Sequence, residues 1–153
     1  MNVTIPIKKY NIDKVYFGEP IKNTIIENSV FRRTIYSDTF VSFNNICLLF
    51  ELKNVYVKKY YNKWKIILNS EEIKLSIKKL EKELLEKIRM THKKSCHAIT
   101  EQIEAGFIKL FSDNLEQKVY EGFNLILKIS GIWETGEGYG LTYKFTEADK
   151  FIY

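Results

Sequence analysis

The residues whose types and spacing suit chemistry lie close together: Tyr56, Lys58, Lys59, Tyr60, Tyr61, Lys63, Trp64 and Lys65 interleave aromatic rings with ammonium groups. That combination holds unpaired nucleic acid, the cations following phosphates and the rings stacking bases at roughly 1–3 kcal/mol each. A surface hairpin with Trp64 in the core and lysines that only keep it soluble accounts for the same pattern. Arg32 and Arg33 beside Tyr36 form a smaller patch of the same kind. Consecutive strand residues face opposite sides, so at most one of these arginines shares a surface with Tyr36 without a bulge.

Other chemistries find less support. His92, Cys96 and His97 are close in sequence, but zinc takes four ligands in paired spacings and no second pair exists unless Cys47 folds in. They read as a basic loop. Cys96 beside His97 lacks an orienting acid, and neighbours on a strand point apart. Glu71 with Glu72, Glu81 with Glu83, and Glu134 with Glu137 sit naturally on a solvated helix or turn. Gly136, Gly138 and Gly140 have a glycine rhythm, yet they join strand to strand with no following helix to receive a phosphate. We expect a non-enzymatic protein without cofactor or metal.

The elements that position the basic and aromatic residues are mostly strands. From Glu121 to Phe145 the chain predicts a β-hairpin: Leu125, Leu127, Ile129, Gly131 and Trp133 share one face, and Leu141, Tyr143 and Phe145 resume the alternation. Gly136, Gly138 and Gly140 are expected to supply positive φ at the turn, and Gly131 to mark a bulge or a bend. Ile46, Leu48, Phe50 and Leu52 alternate, Asn54 breaks the phase, and Val55 and Val57 resume before a hairpin turn at Tyr60–Lys63 leads into Trp64–Leu68. Val30–Tyr36 reads as a further strand, and residues 1–28 as short edge strands or loops.

Asn69 or Ser70 can cap a helix that opens with Glu71 and Glu72, both favourable at the positive end of the dipole. Ile73, Ile77, Leu80, Leu84 and Ile88 form its apolar stripe, which points to packing on a sheet; two heptads fall short of a coiled coil. After the loop Thr91–His97, Thr100 is a possible cap for a second helix through Ile103 and Phe107, ending at Phe111 or giving way to a strand from Gly106. Strands, a helix pair, then strands again indicate α+β with a mostly antiparallel sheet, closed as a barrel or stacked as a sandwich.

The 153 residues suit one domain, 1–153, with a short aromatic tail at 146–153. Apolar runs are too short to span a membrane, no signal peptide stands at the start, and the two cysteines form no paired framework, so an intracellular location is expected. The net charge is +5, but Lys53–Lys94 alone holds 13 Lys plus Arg against five Glu, a net of +8, leaving 5 − 8 = −3 elsewhere. A polyanionic partner suits the middle third.

Phe31-Arg32-Arg33-Thr34-Ile35-Tyr36-Ser37, Ser130-Gly131-Ile132-Trp133-Glu134 and Gly140-Leu141-Thr142-Tyr143-Lys144-Phe145 lie in two blocks covering about half of the chain. These blocks resemble single-stranded-DNA-binding proteins of the phage-like OB-fold type from nucleocytoplasmic large DNA viruses. The resemblance implies a five-stranded, partly open barrel with an inserted helix and a face for unpaired DNA without sequence preference. It also implies an acidic, aromatic-ended carboxyl tail that meets replication partners; residues 147–153 here are short and barely acidic. The site expected from residues and resemblance together is Arg32, Tyr36, Tyr56, Lys58, Lys59, Tyr60, Tyr61, Lys63, Trp64 and Lys65, with single-stranded DNA as partner. A virion structural or assembly protein, acting through protein contacts or as a homo-oligomer, is the alternative.

Overall fold

Two long strands dominate because their sequences alternate apolar and polar residues for longer than any other part of the chain. In the computed structural model, which describes residues 3–112 and 114–148, these are β6 (Ile46–Tyr60) and β10 (Lys118–Glu134). The remaining strands are β1 (Ile5–Pro6), β2 (Val15–Phe17), β3 (Ile21–Lys22), β4 (Val30–Ser37), β5 (Ser42–Asn44), β7 (Lys63–Ile67), β8 (Lys94–Cys96), β9 (Ile108–Leu110) and β11 (Gly138–Glu147). Two helices, α1 (Glu71–Ile88) and α2 (Ala98–Glu104), lie between β7 and β9. The result is a mostly antiparallel α+β fold, ordered β2-β4-β10-β6-β7-β9, with β11 on the second edge of β10. Among the described residues β1 on β6, β8 on β11 and the isolated Phe111–Thr146 bridge pair in parallel. A single bridge between Phe111 and Thr146 ties the end of β9 to β11, with the Phe111 amide donating to the Phe145 carbonyl at 3.0 Å.

β10 changes partner along one edge. β6 pairs with it from Lys118 to Ile129, and β4 takes over from Gly131 to Glu134. The register against β11 slips between Ile129 and Gly131, so the expected bulge is present at the handover. There the buried Thr34 hydroxyl donates to the Ile129 carbonyl at 2.7 Å, satisfying a group that the interrupted ladder leaves behind. A Cβ at Gly131 would stand 2.2 Å from the Arg32 carbonyl oxygen and 2.4 Å from the Phe31 ring, so the glycine is required by close approach.

The bulge also shifts the phase of the strand. Leu125, Leu127 and Ile129 share the buried face, joined by Phe123, but beyond Ser130 it is Ile132 that enters the core, while Trp133 is half-buried. The turn glycines work differently from the expectation as well. Among the described glycines only Gly106 has positive φ. Gly138 and Gly140 instead admit neighbours: an added Cβ would meet the Lys94 carbonyl at 2.9 Å and the Trp133 indole at 2.8 Å.

Ser70 caps α1, its hydroxyl accepting from the Ile73 amide at 3.3 Å. Ile77, Leu80, Leu84 and Leu85 are buried in one cluster with Leu48, Phe50, Leu125, Leu127 and Phe145. Each such side chain contributes about 1.5–3 kcal/mol, which commits the helix to the sheet. Of the two endings open for the second helix, the strand is the one formed, as β9. Two details are corrected. The loop expected at Thr91–His97 contains β8, and α2 is capped by Glu81 of α1 and not by Thr100. Of the tail, Thr146 and Glu147 belong to β11; 149–153 lie outside the described residues.

Candidate nucleic-acid interface

The β6–β7 hairpin sorts its side chains by register. Tyr56, Lys58 and Tyr60 stand opposite Ile67, Lys65 and Lys63, and these six share the outer face. Lys59 stands opposite Trp64 and Val57 opposite Ile66, on the face that leads into the core. The aromatic and basic residues are therefore divided between two surfaces. At the turn, Tyr61 adopts a positive φ of 54°, which lifts its ring clear of the sheet at 82% exposure, with its edge against Tyr60 at 4.6 Å between centroids.

Several cations already rest on rings. The Lys65 ammonium lies 3.9 Å from the centre of Tyr60 and 3.8 Å from that of Phe107, a two-sided cation–π contact. Lys59 approaches Trp64 at 5.7 Å. Lys65 thus holds the Tyr60 ring in place, and Tyr61 keeps the more open ring.

Behind the hairpin, β7, β9 and β11 enclose a cleft of about 560 Å³. Trp64 and Phe111 form its aromatic lining, Lys63, Lys109 and Lys144 its cationic lining. Trp64 is half-buried at the core margin, opposite Leu110. Phe111 is 57% exposed, with the Lys144 ammonium 4.9 Å from its ring centre. Phe111, Lys109 and Lys144 were not among the expected residues. The signal was the same interleaving, Lys-Leu-Phe at 109–111 and Tyr-Lys-Phe at 143–145, but in fragments too short to stand out.

Two expected residues lie elsewhere. β4 meets β10 at Gly131–Glu134, whereas the hairpin meets it near Lys118–Tyr120. About a dozen residues at roughly 3.3 Å each separate these two ends. Arg32 is half-buried opposite Ile132, and its Nε lacks a hydrogen-bond partner among the described residues. Tyr36 is buried, its hydroxyl accepting from the Asn11 amide at 3.1 Å and its ring stacked on Tyr10 at 5.9 Å. It has no face left for a base, so the Arg32 and Tyr36 patch does not join the hairpin surface.

The loop of His92, Cys96 and His97 also has a defined geometry. Glu81 is fully buried, its two oxygens accepting from the Ile99 and Thr100 amides, each at 2.9 Å. Negative charge at the start of a helix is favourable, and here it comes from another helix. The carboxylate expected on a solvated face is thus a buried tie between α1 and α2. His97 Nδ1 lies 3.9 Å from Glu81, and its Nε2 shares a hydrogen bond with Ser95 Oγ at 3.1 Å. Among the described residues no group of three or more His, Cys, Asp or Glu is arranged to hold a metal ion. No described helix is long and apolar enough to cross a membrane.

Comparison of the chain with protein-family models, with curated proteins and with solved structures finds no match.

Proposed function

We propose that this protein is a non-enzymatic module that binds single-stranded DNA without strong sequence preference, in viral DNA replication or repair. The observation that carries the reading is the cleft behind the hairpin, where two rings and three lysines converge beside the exposed Tyr60 and Tyr61. Bases stack on Tyr61, Tyr60, Phe111 and the open part of Trp64, while Lys58, Lys63, Lys109 and Lys144 follow the backbone. The resemblance to viral OB-fold proteins supports the same reading. The run of pairings β10-β6-β7-β9, with one bridge from Phe111 to Thr146 of β11, supports a barrel of the kind that the resemblance implies.

The test is fluorescence anisotropy of labelled oligothymidine at two salt concentrations, with a duplex of equal length alongside. Salt-sensitive binding that prefers the single strand, with quenching of tryptophan fluorescence, is the expected result. No binding at low salt rejects the reading.

A second reading, a virion structural or assembly protein, is favoured by exposed apolar loop residues: Phe40 at 93% and Ile25 at 87% exposure. Light scattering separates the two. A stable oligomer with no affinity for DNA supports assembly, and a monomer that binds oligothymidine supports the first reading.

A further inference from the structure

A second cleft lies away from the hairpin. It has a volume of about 610 Å³ and is lined by α1, β8, the start of α2 and β11. Lys78 and Lys82 come from one side of α1 and Arg89 from the residue that follows it, Ser95 and His97 from β8 and its end, and Thr100 and Tyr139 complete the polar lining. Lys78 and Lys82, at i and i+4, lie on one face of the helix, and Arg89 stands just past its end, its amide donating to the Leu85 carbonyl at 3.0 Å. Ser70 starts that helix and Glu81 ties α2 to it, so both walls are fixed to the core.

The charges in this cleft are unbalanced. Lys78 is paired with Glu104 at 3.6 Å, but among the described residues neither Lys82 nor Arg89 forms an ion pair. Glu86 is the lone carboxylate in the lining, against three permanent cations. Glu81 faces His97 from below, its oxygens already held by two amides. Hydroxyls stand beside the cations: Ser95 Oγ shares its hydrogen bond with His97 Nε2 at 3.1 Å, in which either atom can be the donor, and Thr100 adds a second hydroxyl to the lining. A planar guanidinium, an ammonium and a hydroxyl around one concavity suit a compact anion with several acceptor oxygens.

We propose that this cleft binds a phosphate monoester dianion, with Arg89 and Lys82 neutralising it and Ser95 and Thr100 donating to its oxygens. The ligand class has two sources, a free nucleoside monophosphate and the 5′-phosphorylated end of a DNA strand, and both present the same group. The inference is independent of DNA binding at the hairpin, because the free nucleotide is bound whether or not the hairpin binds DNA.

The experiment is isothermal titration calorimetry of the full chain with thymidine 5′-monophosphate, with thymidine as the uncharged control and chloride holding ionic strength constant. Binding of the nucleotide but not the nucleoside is expected. Lys82→Gln and Arg89→Gln should each weaken it about tenfold, the scale of one charge-assisted hydrogen bond. Ser95→Ala should weaken it less, and Lys58→Gln on the hairpin not at all. Lys82 and Arg89 are exposed, so unchanged circular dichroism should accompany both losses. Oligothymidine with and without a 5′-phosphate identifies the source. A gain from the phosphate assigns a strand end, and equal binding of the two oligomers beside tight binding of the mononucleotide assigns the free nucleotide. No heat with millimolar thymidine monophosphate, or unchanged affinity in both charge variants, overturns the assignment.

Discussion

Aromatic rings are used in two opposite ways at the two ends of β10. At Gly131–Gly140 rings are clamped: Phe31 covers Gly131 and Trp133 covers Gly140, each closer than any side chain at the glycine would allow. At the β6–β7 hairpin the rings are presented: Tyr61 stands on a left-handed turn residue, and Phe111 lies open at the cleft. What separates the two ends is what the rings lie against: glycine backbone for Phe31 and Trp133, lysine ammonium groups for Tyr60 and Phe111. A glycine lets a ring settle onto the backbone, whereas lysines leave it at the surface with one face open.

This contrast breaks most visibly at the clamped end. Gly131→Ala should destabilise the fold by about 3 kcal/mol or more, since its Cβ would meet backbone as well as ring. At Gly140→Ala the three nearest atoms to the new Cβ all belong to the Trp133 indole, and the substitution should cost about 1–3 kcal/mol. Gly122→Ala, in the same strand with open space around its Cβ, should stay within about 0.5 kcal/mol. Urea unfolding reads all three, and equal losses would reject the role assigned to close approach. At the presented end the pattern should invert. Tyr60→Ala with Tyr61→Ala should leave the urea midpoint in place while weakening oligothymidine binding by roughly 1–3 kcal/mol per lost stack. Replacing Lys58 and Lys59 with Gln should flatten the salt dependence by about 0.7 per phosphate contact removed. The smallest effect concerns the cysteines. Burial raises the pKa of the Cys47 thiol, whereas Cys96 is partly accessible, so a thiol reagent at neutral pH should modify Cys96 in the native protein and Cys47 only after unfolding.

The legibility of the fold followed the range of the forces involved. The alternation Ile46–Leu52, the Ser70 cap and the Ile77–Leu84 stripe are local patterns, and each became the element it predicts. Glu81 was misread because the amides that hold it belong to a helix 18 residues later, and nothing around position 81 distinguishes it from the solvated Glu83 or Glu86. Trp133 was placed on the face of Leu125, Leu127 and Ile129 because a bulge can be suspected from Gly131, but its effect on later residues depends on which strand meets it. Tyr36 had the right type and neighbours for a nucleic-acid site. Its burial was fixed by Tyr10 and Asn11, which the sequence places 26 and 25 residues away. The hairpin residues were legible as a group, while Phe111 and Lys144 join them only through the bridge between β9 and β11.

The register of β6 against β10 also governs how the chain reaches this structure. Val57 meets Lys118 and Ile46 meets Ile129, separations of 118 − 57 = 61 and 129 − 46 = 83 residues, with both helices in between. Closing such long intervals precedes any reward from the central pairing, so folding belongs to the slow regime of non-local topologies. The hairpin and α1, both local, can form first; until β10 arrives, β6 presents an unpaired, strongly apolar edge from Ile46 to Leu52. Refolding yield should therefore fall as protein concentration rises, through association of that edge with another chain.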